Sequence, residues 1–328
     1  MRGGRLPRVG VELELLAPVG SSRAELARVL AGPGGSVTPF LHPDSEPALV
    51  PGVPVFETLT PGFLARDARG AEVARLVDDL TLQADLDRKA PPLPGWWRVL
   101  SDDRRILHLV RRHGRADAGP NEALAPLAAL FGTEVEPMDG GVLRVRDPDG
   151  APLALAAPVP GERWRPSELV TPPLGPFTPR QLHRALDALL GPARALGFTV
   201  PVEAAVHLHL DAAPWRETAA FVRLVELVSE RLPAWTERVG SNPANRRRGP
   251  WPPELLALVR QPGFAALPWP LARARLRELG PSKYHDVNLR NIVFDVPGKQ
   301  TLELRFLPGS IEAGPVVASF DDLWSELE

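Results

Sequence analysis

The 328-residue chain contains no cysteine. Disulfides, thiolate-bound zinc and cysteine nucleophiles are therefore excluded. Any metal site must be built from His, Asp and Glu, a donor set that favours a hard ion such as Mg²⁺ or Mn²⁺. An excess of one charge is also missing. The 38 Lys and Arg residues against 40 Asp and Glu leave a formal net charge of −2, so no bulk field calls for nucleic acid or an anionic membrane. No apolar run approaches the ~20 residues of a membrane span. The N-terminus MRGGRLPRVGVELELL is basic, but it runs straight into an acidic strand and lacks the apolar core and cleavage site of a signal peptide. The expectation is a cytoplasmic protein that engages neither nucleic acid nor membrane. The 39 prolines and 28 glycines punctuate the chain rather than forming a low-complexity block.

What is present is an ordinary globular composition, 44% hydrophobic and 24% charged. Alternation of apolar and polar residues predicts strands over 9–16, 54–61, 167–173, 202–211, 283–294 and 301–307. Helical spacing predicts helices over 21–31, 67–87, 121–132, 178–197, 214–235 and 270–280, and in the C-terminal tail. Thr178 is placed to cap its helix, with Pro179 in the first turn. The stretch 96–114 reads as two strand-like pieces around a Ser-Asp-Asp turn. The stretch 140–158 reads as a hairpin turning at Asp-Pro-Asp-Gly, and DVPGK at 295–299 as a second hairpin turn. Mixed elements with hairpins predict an α+β protein with a largely antiparallel sheet. No linker forces a cut, so one domain is expected over 1–328, with possible insertions or lids near 42–160 and 242–270. FETLTPGF (56–63) echoes SELVTPPL (167–174), each with a helix expected soon after.

Five of these strands carry acids or imidazoles on alternate positions. They offer Glu12 and Glu14; Glu168; Glu203, His207 and His209; Tyr284, Asp286, Asn288 and Arg290; and Glu303 and Arg305. Each set has a bland reading, because antiparallel sheets often keep one wet face. Yet none of these faces is built from Lys or Thr. Crowded carboxylates are costly unless cations offset them, and divalent ions would do so.

The order of these sets resembles the carboxylate–amine ligases. Glu-x-Glu early, His-x-His in the middle and Glu-x-Arg late is the order of glutamine synthetase and the glutamate–cysteine ligases. The chain is most similar to the amidoligase family of that superfamily, through GVELE (10–14), ELVTPPL (168–174), HLHLDA (207–212), KYHDVN (283–288) and TLELRFLPGS (301–310). The resemblance implies a curved, glutamine-synthetase-like antiparallel sheet with helices on its convex side and with ATP and Mg²⁺ or Mn²⁺ on its concave face. It implies amide formation through an acyl phosphate, from small-molecule or peptide carboxylate and amine substrates. By similarity, Glu12, Glu14, Glu168, His207 and Glu303 would hold metal, with His207 and Glu303 sharing one ion. His209 would meet nucleotide or substrate, and Arg305 the transferred phosphoryl group. Asn288 and Lys283 would contact substrate or phosphate, with Arg290 a further nucleotide contact.

Other features stay open between two readings. Glu203 and Asp211 are either site members or structural support. Glu57 is a candidate ligand because FETLTP echoes SELVTPP. Asp79 and Gln83, one turn apart on the expected helix, read more simply as a polar helix end. The NPANRRRGPWPP loop (242–253) is either a lid over an anionic substrate or a solvated surface loop. Two rival functions also stand. A metal-dependent hydrolase would use His-x-His with Zn²⁺ but gives no role to Glu12, Glu14 and Arg305. A non-catalytic relative would bind a nucleotide or peptide.

Overall fold

The computed structural model describes residues 5–18, 23–47, 55–79, 82, 91, 95–159 and 165–328. The strands are β1 (Val9–Ala17), β2 (Ser36–Pro47), β3 (Val55–Arg66), β4 (Glu72–Asp78), β5 (Trp97–Leu100), β6 (Val135–Pro137), β7 (Leu143–Arg146), β8 (Pro152–Pro158), β9 (Arg165–Val170), β10 (Ala205–Asp211), β11 (Val287–Asn288) and β12 (Thr301–Pro308). The helices are α1 (Arg23–Ala31), α2 (Arg104–His113), α3 (Pro120–Phe131), α4 (Pro179–Ala195), α5 (Thr218–Arg238), α6 (Pro253–Val259), α7 (Trp269–Glu278), α8 (Arg290–Phe294) and α9 (Ala313–Leu327). The fold class is α+β, and the ladders among the described residues are antiparallel. No helix among the described residues is long and apolar enough to cross a membrane.

The chain forms two compact units. The first is Met1–Leu13, Thr171–Gly191 and Val202–Glu328; the second is Glu14–Val170 and Pro192–Pro201. Strand β1 begins in the first and runs on into the second. In the first unit the strand order is β11-β12-β10-β1, and the path does not close. Val9, Val11 and Leu13 alternate with Gly10 and Glu12, so one face of β1 is apolar and buried. Thr178 and Gln181 form a reciprocal cap at the start of α4: the Thr178 N–H donates to the Gln181 side chain (2.9 Å) and the Gln181 N–H to the Thr178 hydroxyl (3.3 Å). Trp235 of α5 stacks on Phe306 of β12 at 6.4 Å, and its indole N–H donates to Glu326 of α9.

In the second unit the order is β9-β4-β3-β5-β8-β7-β6, with β2 along β3. The other edge of β3 forks: β4 pairs with 63–66 and β5 with 58–59. Pro61 sits at the fork, where it has no N–H to leave unpaired, and its carbonyl accepts from Arg23 at 2.6 Å. Leu41, Leu59, Trp97 and Val99 pack with Ile106, Leu107 and Val110 of α2 and with Leu124 and Leu127 of α3.

Several expectations are corrected. Within the helix expected over 67–87, residues 72–78 instead form β4, because Val73, Arg75 and Val77 alternate with Ala74, Leu76 and Asp78 and tertiary pairing overrides helical spacing; 80, 81 and 83–87 lie outside the described residues. Asp79 therefore follows a strand, buried; Gln83 lies outside the described residues. The second piece of 96–114 is α2, capped by Asp103, whose carboxylate accepts from the Arg105 N–H at 2.8 Å. The strand expected over 283–294 shrinks to β11 followed by α8, so DVPGK joins a helix to β12 instead of turning a hairpin. β3 continues through Pro61-Gly62 instead of ending there, and β4, not a helix, follows it, which weakens the echo with 167–174.

Candidate functional site

Six of the expected site residues come together in the first unit: Glu12, His207, His209, Asn288, Glu303 and Arg305. Period-two alternation combined with register brings them there. Glu12 lies opposite His207, His209 opposite Glu303, and Asn288 opposite Glu303. Between Leu304 and Leu307, β12 uses two residues where β10 uses His207 alone. This bulge at Arg305–Phe306 bends the strand beside the cluster. Gly10 faces His209 across the ladder, where an added Cβ would come 3.4 Å from the His209 Cβ. Its missing side chain leaves room beside the imidazole.

The contacts are close. His207 Nδ1 lies 3.1 Å from one Glu12 oxygen and 3.7 Å from Glu303. His209 Nε2 lies 3.0 Å from the other Glu12 oxygen and 3.8 Å from Glu303. Glu303 also accepts from Asn288 Nδ2 at 2.6 Å and from the Arg305 guanidinium. Burial alone would raise the Glu303 carboxyl, but the charge of Arg305, with those of His209 and His207, overcomes it and lowers the group to about 2. Burial likewise opposes ionisation of Glu12, yet His209 and His207 hold it well below the usual range. Burial pushes His209 down; the two carboxylates outweigh this and raise it. The site is thus a pair of anions that draws positive charge to itself.

This donor set fits a divalent ion. One ligand atom each from Glu12, His209 and Glu303 lies within 4.8 Å of the others. The 3.0 Å approach of His209 Nε2 to Glu12 lacks hydrogen-bond alignment. Two donors about 3.0 Å apart are what neighbouring ligands at about 2.1 Å from a six-coordinate ion would show. Thr301 Oγ1 accepts from Asn291 Nδ2 and lies 3.2 Å from His209 Nδ1. A hydroxyl oxygen that accepts from both leaves Nε2 with its lone pair toward the carboxylates. Sequence reasoning gave His209 to nucleotide or substrate; the geometry sets it among the metal-capable donors.

Arg305 is held from behind. Its N–H donates to the Asp286 carbonyl at 2.8 Å, and the Asp286 carboxylate pairs with Arg248. The Asp286 N–H donates to the Gly249 carbonyl at 2.8 Å, and the Trp251 indole N–H to the Val287 carbonyl at 2.6 Å. The arginine loop 242–253 is therefore strapped along β11, with Arg248 as its buckle. Sequence reasoning named Asp286 and this loop separately; their 38-residue separation hid the pairing.

Arg290, Glu203 and Asp211 fall outside this cluster. Arg290 does not share a strand face with Asn288; it opens α8, exposed, with its guanidinium 5.2 Å from the Phe294 ring. Lys283 precedes β11, its ammonium 5.3 Å from the Tyr284 ring. Glu203 stands in a turn before β10, so it does not continue the histidine row. Asp211 ends β10 and accepts from the Ala213 N–H. Glu14 and Glu168 belong to the second unit, Glu14 buried on β1 and Glu168 opposite Val77 on β4. Glu57 is engaged by Arg104 through two hydrogen bonds, on the face that carries Leu59 and α2, so it serves as a clamp for that helix.

Residues 6–321, nearly the whole chain, match the family described as "putative amidoligase enzyme". No curated protein and no solved structure matches the chain.

Proposed function

We propose that this chain, which belongs to the amidoligase family, joins a carboxylate to an amine at the expense of ATP. The glutamine-synthetase-like architecture and the acyl-phosphate route are part of this reading. The single observation that carries it is the close meeting of Glu12, His207, His209 and Glu303 beside Arg305. Glu12, His209 and Glu303 would hold Mg²⁺ or Mn²⁺. When bound, such an ion screens the phosphate oxygens that a carboxylate nucleophile must approach.

The residues have separable roles. Glu12 and Glu303, ionised across the neutral pH range, supply negative charge without a proton to remove first. Asn288 fixes one oxygen of Glu303. Arg305 neutralises the other and presents a planar fork of donors to an incoming phosphoryl oxygen. The strap from Arg248 through Asp286 sets the position of the Arg305 backbone.

The test is thermal denaturation with Mg·ATP, followed by ADP release over a panel of acids and amines. A raised melting temperature that Glu303→Gln abolishes supports the reading. Stabilisation by Zn²⁺ with no response to Mg·ATP supports a hydrolase instead. ATP binding with no ADP formed from any pair supports a binding module.

A further inference from the structure

The second unit carries a polar face that the ligase reading leaves without a role. Along β3 successive side chains point to opposite faces. Leu59 joins the core under α2 and α3, with Leu41 of β2 and with Trp97 and Val99 of β5. Thr58 and Thr60 therefore point to the other face. Both are wholly buried, and neither hydroxyl has a hydrogen-bond partner. Buried polar groups are almost always paired, so two orphans at i and i+2 require an explanation.

Their neighbours follow from the register. Asp44 lies opposite Thr58, and His42 opposite Thr60, on β2. Leu100 lies opposite Thr58 on β5, and Arg98, two residues back, shares its face. The Phe40 ring lies over Gly62, where a Cβ would stand 2.8 Å from it, and meets His42 edge-on at 6.2 Å. The face thus presents an acid on one flank, a guanidinium on the other, two hydroxyls between them and an aromatic wall. The backbones of β2 and β5 flank β3 about 9.6 Å apart.

We propose that this face binds a free amino acid, with its carboxylate on Arg98, its ammonium on Asp44 and the Thr58 and Thr60 hydroxyls bonding its polar atoms. Arg98 and Asp44 keep their existing contacts. Five guanidinium donors and four carboxylate lone pairs leave capacity for a ligand. A polyphosphate would meet Asp44, and a lone metal ion would meet Arg98, so neither suits the face as a zwitterion does.

The proposal does not depend on the ligase reading, and its test uses neither nucleotide nor metal. Free amino acids at millimolar concentration are titrated calorimetrically into the full chain, alongside Thr58→Val, Thr60→Val and Arg98→Gln. At least one amino acid is expected to bind. Each valine variant should weaken it by about tenfold while melting at or above the wild-type temperature, because valine removes an unpaired polar atom at nearly constant volume. The methyl ester of the same amino acid should bind wild type weakly and show no further loss in Arg98→Gln. The proposal is overturned if no free amino acid binds, or if the valine variants bind as wild type does. It is also overturned if they melt well below wild type, which would assign the hydroxyls to buried structural water.

Discussion

Two buried groups of charge, one in each unit, are built on different plans. In the second unit Arg23 is almost fully enclosed, with a carboxylate, two carbonyls and an aromatic ring around it. It lies 3.7 Å from Asp78, donates to the carbonyls of Pro61 and Gly95, and rests 4.1 Å from the centre of the Trp96 ring. The cation faces the Asp78 carboxylate and donates to backbone carbonyls, one of them Pro61 at the fork of β3. In the first unit two carboxylates and two imidazoles crowd together, and a single arginine offsets one carboxylate. The first arrangement sets a cation against an anion. The second is completed by added positive charge, which is why both its acids are driven toward ionisation and His209 is raised. A buried charge group of the first kind serves folding; one of the second kind serves a ligand.

The largest effect should come from breaking the Arg23–Asp78 pair. Arg23→Met leaves Asp78 buried without its partner and should cost about 3–5 kcal/mol. Adding Asp78→Asn should return part of that loss in a calorimetric melt. A single-variant cost near zero would erase the contrast between the groups. Next comes the group that awaits a cation. At a free ion concentration of about 100 Kd, Mn²⁺ should stabilise the wild type by about 2.7 kcal/mol. Glu303→Gln should lose that gain; its single amide oxygen keeps only one of the Asn288 and Arg305 bonds, so the readout is the Mn²⁺-induced increment measured against each protein's own metal-free melt.

These contrasts were only partly legible in the sequence. Alternation in 9–16, 203–211 and 301–307 exposed the acids and imidazoles, because period two in a half-buried strand is a strong local signal. It also showed that Glu12 and Glu14 share a face. It could not show that Glu12 lies opposite His207, or that a bulge sits at Arg305, since register depends on pairing between distant strands. The Arg23–Asp78 pair was invisible: Asp78 sat in a stretch read as a helix, and pairing with β3 and β9 makes it a strand. Glu57 was misread because a local echo says nothing of which face the helix α2 will cover. Arg290 failed for a related reason, since the short α8 interrupts an otherwise strand-like pattern.

A smaller effect separates the cluster from its support. Arg248→Ala should weaken Mn²⁺ binding by about 10–100-fold through Asp286 and Arg305, as loss of outer-shell partners does. Arg248→Lys should recover part of it. Equal loss in both variants, accompanied by a lower melting temperature, would reduce the strap to a folding element. The smallest effect concerns a half-buried carboxylate outside either group. The Trp235 indole N–H, then Arg238, lower the Glu326 carboxyl below its ordinary value. A lowered folded-state value gives stability that is present above the unfolded value near 4.5 and is lost as pH falls through the folded one. Because Glu326 keeps part of its surface in water, the loss should be slight, and Glu326→Gln should remove it from the urea midpoints measured between neutral and acidic pH.

The central claim is that the first unit's charge cluster is a divalent-cation site. Mn²⁺ titration followed by electron paramagnetic resonance tests it most directly, comparing wild type, Glu303→Gln and Glu57→Gln. The account predicts that wild type and Glu57→Gln bind Mn²⁺ alike and that Glu303→Gln loses the tight site. Unchanged binding in Glu303→Gln, or equal loss in Glu57→Gln, would contradict it.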